Sequence, residues 1–229
     1  MKVKKGKDER IFLGIAYVLV AVFAVVCLLP FYLVLVGSFT KESTILTEGY
    51  SFFLTAKNFS LEAYKMAFKS PDTLVQAYGI TIFVTVVGTI TAVLLSAMTG
   101  YVLARPDFPW RNKISFFFFF TTLFSGGLVP WYLMCSKFFK FNNHVYSLIL
   151  PCLFSVWNMI IAKSFMKGIP FELTEAAKVD GAGDFRIFWK IILPAAKPLI
   201  ATIGLFTALT YWNDWYNCML FMSTGGTWN

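Results

Sequence analysis

The sequence predicts an all-α integral membrane protein, and two observations carry that reading. Of 229 residues, 58% are hydrophobic and 19% aromatic, while only 14% are charged. Soluble domains carry roughly 25% charged residues, so this chain lacks the charge a water-facing surface needs. The apolar residues are also gathered into runs nearly free of charge: 11–39, 74–104, 114–136, 141–162 and 198–222, the last broken by Asp214. About 20 apolar residues cross the hydrocarbon of a bilayer. Backbone groups in lipid must pair within their own segment, so five helical spans are expected.

The start, MKVKKGKDER, has the charge of a signal-peptide n-region. The apolar run behind it is too long, and no small-residue cleavage site follows, so 11–39 reads as a retained first span kinked at Pro30. In the next segment, NFSLEAYKMAF predicts a short amphipathic helix capped by Asn58 or Ser60, with Leu61, Tyr64, Ala67 and Phe68 on one face. Such a helix lies either on the outer membrane face or against the protein. The second run carries Gly88, Ala92, Ser96 and Gly100, each four apart and so on one helical face. Small residues there let helices pack closely, or they line a pathway. RPDFPWRNK reads as a tight turn. FSGGLVPWYLM predicts a kink or partial unwinding, which is tolerated at membrane depth where protein or a cavity covers it.

Nothing here suggests catalysis or metal binding. Cys27, Cys135, Cys152 and Cys218 form no CxxC and read as small buried hydrophobes, and the single histidine, His144 in FNNHVY, reads as a loop residue. The net charge of +8 reflects topology rather than nucleic-acid binding. Segments 1–10, 105–113 and 163–197 carry 5, 3 and 6 Lys and Arg residues, against 4 and 2 in 40–73 and 137–140. The positive-inside rule therefore puts the N-terminus and the loop 163–197 in the cytoplasm.

That loop contains EAAKVDGAGDFRIFWKIILP, too polar for lipid. Pro170 suits a first helical turn, and Glu172 and Glu175 suit the positive end of a helix. Gly181 and Gly183 suit a turn, and Asp184 is placed to cap a second helix with Phe185, Phe188, Trp189 and Ile192 on one face. Pro194 should stop that helix and Pro198 start the next span.

The spacing Glu175-Ala176-Ala177, three residues, Gly181, nine residues, Ile191, one residue, Leu193-Pro194 resembles the EAA loop of ABC importer permeases at every marked position. With YWNDW in the following span it is similar to the maltose-type, carbohydrate-uptake branch, and GGLVPWYLM is similar to the subgroup importing complex oligosaccharides. The resemblance implies the type I ABC importer transmembrane fold. Glu175, Ala176, Ala177, Asp180 and Gly181, with Ala182, Leu193 and Pro194 of the same motif, would then couple to a cytoplasmic ATPase. It implies a second, different permease chain, two ATPase subunits or domains, an extracytoplasmic solute-binding protein and a bacterial cytoplasmic membrane. No cofactor is expected on this chain, since no GxxxxGK[ST] occurs; ATP and Mg would bind the partner ATPase. Permeases of this kind have six spans, so a sixth is expected to be missing here.

Asp214 is a carboxylate inside the fifth run, which by default suggests function. With Tyr211, Trp212, Asn213 and Trp215 it could line a saccharide path, since aromatic faces stack on sugar rings and amides bond hydroxyls. An interfacial aromatic belt would place the same residues at the same depth. An ion-gradient transporter would need further intramembrane ionisable groups, and a permease for a non-sugar solute would share the loop.

Overall fold

The computed structural model describes residues 6–55 and 57–222, without the side chain of Lys7. Residues 1–5 of the basic N-terminus and the tail 223–229 lie outside them. The chain forms two compact units, Met1–Gln76 and Ala77–Asn229. Among the described residues the structure is helical, with one isolated antiparallel bridge, Thr40 to Phe59.

In the first unit, α1 (Lys7–Ser38) is apolar on every side, and its most apolar window buries nothing. That pattern in a soluble protein would mark a core helix; here it suits lipid. Asp8 and Glu9 sit in its first turn, at the positive end of the helix dipole. The expected kink at Pro30 does not interrupt the helix, which continues through it. Beyond α1, the Lys41 N–H donates to Asn58 O (2.9 Å) and the Ser60 N–H to Phe39 O (2.8 Å). Phe39 stacks between Phe59 and Tyr64. Two short helices follow, α2 (Glu42–Glu48), which the sequence did not suggest, and α3 (Glu62–Ala67). The Ser60 hydroxyl accepts the Glu62 N–H, whereas Asn58 contributes its backbone carbonyl rather than a cap.

Helix α4 (Pro71–Ala104) begins in the first unit and continues in the second. Gly88, Ala92, Ser96 and Gly100 all lie on its buried side. A Cβ on Gly100 would stand 2.6 Å from Ala162 Cβ, and one on Gly88 would stand 2.5 Å from the Tyr211 ring.

The three remaining apolar runs are not single helices. The third divides into α5 (Arg111–Leu123) and α6 (Leu128–Leu133), which leads into a π turn, Met134–Phe138; the two parts meet at 114°. Gly127, at φ 85°, makes that break, since side chains disfavour this backbone region. The fourth was expected to be one helix. It divides instead into α7 (Tyr146–Ile149) with a 3₁₀ turn through Pro151, and α8 (Val156–Met166), bent by 51°. Ser155 caps α8, its hydroxyl accepting the Asn158 N–H. The fifth divides at Asn213–Asp214 into α12 (Lys197–Trp212), opened by Pro198, and α13 (Trp215–Phe221). Between α8 and α12 lie α9 (Glu172–Val179), α10 (Asp184–Ile187), a π turn (Phe188–Ile192) and α11 (Leu193–Ala195). Two helices are long and apolar enough to cross a membrane alone, and up to five spans result if each bent pair is one, the third pair being Asp184–Ala195 with Lys197–Trp212, bent by 83°. Of the cysteines, only Cys135 is buried; Cys27 and Cys218 are exposed, and all four are free.

Candidate functional site

The loop between α8 and α12 is packed into the main core. One apolar cluster joins Val93, Ala97 and Tyr101 of α4 and Ala162 and Met166 of α8 to Leu199 and Ile203 of α12. The same cluster contains Ala177 of α9 and Ile187, Phe188 and Ile192 beyond the turn.

Helix α9 closes by a Schellman motif. Gly181 stands at φ 78°, its N–H donates to Lys178 O (3.0 Å), and the Ala182 N–H reaches back to Ala177 O (2.9 Å). These bonds satisfy carbonyls that a helix end otherwise leaves open, and glycine takes the left-handed position at least strain. Ala177 lies in the apolar core and Ala182 packs against that core.

The structure divides the motif residues into two sets. Glu175, Ala176, Asp180, Gly181 and Pro194 are exposed. Ala177 is buried, and Ala182 and Leu193 pack against the same core. These three seat the loop on its own bundle, so Ala177 is not part of a free docking face. Asp184 does not cap α10: the cap position is Gly183, without a side-chain bond. The aromatic face also differs from expectation. Ile187, Phe188 and Ile192 point inward, while Phe185 is 67% exposed and Trp189 39%. The π turn does not reach Phe185; its wider winding takes only Trp189 off a 3.6-residue register, while Phe188 and Ile192 keep the expected face. It precedes Pro194, which has no N–H for the preceding turn, and the helix runs past that proline to Ala195.

An ion cluster that the sequence did not reveal joins the loop to the end of α4. Arg105 donates from Nε to Asp107 Oδ1 (2.9 Å), from a terminal nitrogen to Asp107 Oδ2, and from the other to Asp184 Oδ1 (2.7 Å). Lys178 Nζ lies 3.2 Å from Asp107 and 3.8 Å from Asp184. The hydrogen bond to Asp107 is the main cause raising the Arg105 pKa still further, and the same bond holds the Asp107 carboxyl well below the usual carboxylate range. Burial opposes both shifts without reversing them.

At the far end of α12, the residues proposed for a saccharide path also separate. Tyr211 is buried, and its hydroxyl donates to Ile149 O (2.8 Å). Asp214 caps α13: Oδ1 accepts the Asn217 N–H (3.1 Å) and Oδ2 the Asn217 side-chain amide (2.7 Å). That amide is also 3.6 Å from Cys152 Sγ. Trp212, Asn213 and Trp215 remain exposed. A cavity of about 180 Å³ beside this joint is lined by Thr81, Tyr211, Trp212, Asp214 and Cys218 among others.

A larger cleft, about 530 Å³, lies along the break in the fourth run and is lined by Ser155, Trp157, Asn158, Thr207 and Thr210. Asn158 Nδ2 donates to Thr207 Oγ1 (3.1 Å) at its wall. The sequence reading missed this cleft. The available signal was Ser155 and Asn158, two polar residues behind Pro151 in an otherwise apolar run.

A helical membrane bundle with a packed polar loop and internal clefts is the architecture of a transport component. Residues 3–216 match the family described as "Binding-protein-dependent transport system inner membrane component". The chain belongs to that family and is a membrane permease subunit, not itself a catalyst. It is 38% identical over 220 residues to the polygalacturonan/rhamnogalacturonan transport system permease protein YtcP of Bacillus subtilis, covering 96% of this chain and 76% of that one. It is 30% identical over 213 residues to the diacetylchitobiose uptake system permease protein NgcG of Streptomyces coelicolor, covering 91% and 69%. A chain in the crystal structure of a bacterial ABC transporter involved in alginate import superposes with a TM-score of 0.82 at 26% identity, covering 96% of this chain and 78% of that one.

Proposed function

We propose that this subunit forms half of the translocation path for an oligosaccharide in a bacterial cytoplasmic membrane, with its N-terminus inside. The other half would be a different permease chain, and an extracytoplasmic solute-binding protein would deliver the sugar. Two ATPase subunits or domains would bind ATP and Mg and grip the exposed face of α9 around Glu175, Ala176, Asp180 and Gly181. The observation that carries this reading is the shared core: Ala177, Ile187, Phe188 and Ile192 of the loop pack in one cluster with α4, α8 and α12. A push on the loop is then a push on three membrane helices. The relatives named above support an oligosaccharide as the substrate class. An ion-driven reading would need Asp214 free to bind a proton or ion, but Asn217 engages both its oxygens.

The test is uptake of a labelled galacturonan oligosaccharide into proteoliposomes holding the full complex. Wild-type protein should take it up only with ATP. Glu175→Lys and Gly181→Val should insert normally yet abolish uptake. Normal transport by both variants would overturn the coupling assignment, and ATP-independent uptake would overturn the reading as a whole.

A further inference from the structure

We infer that Arg105 is a positioning residue that carries movement of the α9–α10 loop into α4, a role that rests on the coupling function proposed for that loop. Arg105 directly follows Ala104, the last residue of α4, and its N–H still bonds back to Tyr101 O (3.3 Å). Its guanidinium is a planar fork, and three of its donors are committed: two to Asp107 and one to Asp184 at the start of α10. Lys178, in the last turn of α9, reaches the same two carboxylates. Two cations and two anions therefore close a locally neutral set at the meeting point of α4, α9 and α10.

A second layer lies beneath it. The Arg105 guanidinium sits 5.7 Å over the Tyr101 ring, and that ring packs 5.6 Å from Phe188. Both layers join the same two parts of the chain. Isolated surface ion pairs contribute little, but a bidentate arginine in a network is the exception. The Arg105 side chain is only 14% exposed, so water competes weakly for it. The apolar cluster beneath the loop holds it by non-directional contact, which resists separation but allows sliding. The guanidinium fork supplies direction and so fixes the loop's rotation on α4.

The experiment compares galacturonan oligosaccharide transported per ATP hydrolysed in proteoliposomes of the full complex. Arg105→Met should lower that ratio several-fold, while the ATPase subunits still co-purify. Arg105→Lys should fall between it and wild type, because an ammonium keeps the charge and loses the fork. Asp184→Asn should lower the ratio by a smaller factor, and combining it with Arg105→Met should add nothing further. An unchanged ratio in Arg105→Met overturns the inference. So does a loss of transport that only tracks the amount of assembled complex. Should Arg105→Met fail to fold, the ratio in Asp184→Asn, whose side chain is 60% exposed, decides. Glu175→Lys separates the two proposals. If it abolishes uptake while Arg105→Met keeps the wild-type ratio, only the positioning role falls; if it and Gly181→Val both transport normally, both proposals fall.

Discussion

Replacing Gly100 by alanine tests the seam between α4 and α8. The added methyl would stand 2.6 Å from Ala162 Cβ and 3.0 Å from both Ala162 C and Lys163 N. Carbon atoms meet without repulsion at about 3.5–4.0 Å, so the helices must separate by roughly 1 Å. Two of the three obstructing atoms are backbone, and no side-chain rotation relieves them. The strain belongs at the upper end of overpacking, about 3 kcal/mol. Alanine's helix preference over glycine returns up to about 1 kcal/mol, leaving a net loss of about 2 kcal/mol. Gly79, on the same helix, has nothing within 4 Å of its Cβ position. Gly79→Ala should therefore gain about 0.5–1 kcal/mol from helix preference alone. The two variants, unfolded by SDS titration in mixed micelles and followed by near-UV circular dichroism, should differ by about 2.5–3 kcal/mol. Equal stability, or Gly100→Ala above Gly79→Ala, would refute the close approach of α4 to α8.

The buried Asn158–Thr207 bond predicts a non-additive pair in the same unfolding assay. Thr207→Val leaves the Asn158 amide without this partner and should lose about 1–3 kcal/mol; Asn158→Leu should lose less, since the Thr207 hydroxyl still donates to Ile203 O, and the double variant should lose less than their sum. Acid should remove the Asp107 contribution in a defined window. Its pKa is lowered on folding, so its stabilisation is complete above the unfolded carboxylate value of about 3.9 and fades as pH falls through the lower folded value. Wild type and Asp107→Asn should keep a constant gap in thermal midpoint between about pH 5 and pH 8 and converge only below about pH 4. A gap that shrinks near neutrality would contradict the ion cluster.

The straight spans were legible in the sequence and the broken ones only in part. Long apolar runs fixed α1 and α4 to within a few residues, and the Gly126-Gly127 pair announced the third break. The breaks at 153–155 and 213–214 escaped because an apolar run looks alike whether it is continuous or divided. Asp214 stood out as an oddity, yet its use lies in a local pattern, an acidic cap with its partner Asn217 three residues on. Of the loop's expected inward face, Phe188 and Ile192 are buried, while Phe185 and Trp189 turn outward. Arg105 and Asp184 are 79 residues apart, and no local rule pairs residues at that distance.

The breaks and the ion cluster lie in different parts of the chain, and their placement bears on how a bundle could be moved as a unit. At the loop, α4, α8 and α12 share one apolar cluster with the π turn and α9, and the Arg105 cluster adds directional bonds there. At the joints, the continuity of the helical ladder is lost at Leu153–Ser155 and Asn213–Asp214. Freed backbone groups at membrane depth must be met by protein or by a water-lined cavity, and both joints adjoin clefts that hold a few polar side chains among apolar ones. The two joints also touch each other, through Cys152 and the Asp214–Asn217 pair. Tyr211 bridges them to the straight helix, its ring on Gly88 and its hydroxyl on Ile149. A displacement entering at the loop would thus pass along α4, which has no break from Pro71 to Ala104, and be taken up at joints lined by amides, hydroxyls and exposed tryptophans. Those are the groups that a hydroxyl-rich, ring-shaped solute would meet, so helix breaks that look like defects in the apolar pattern are where a sugar path can be built.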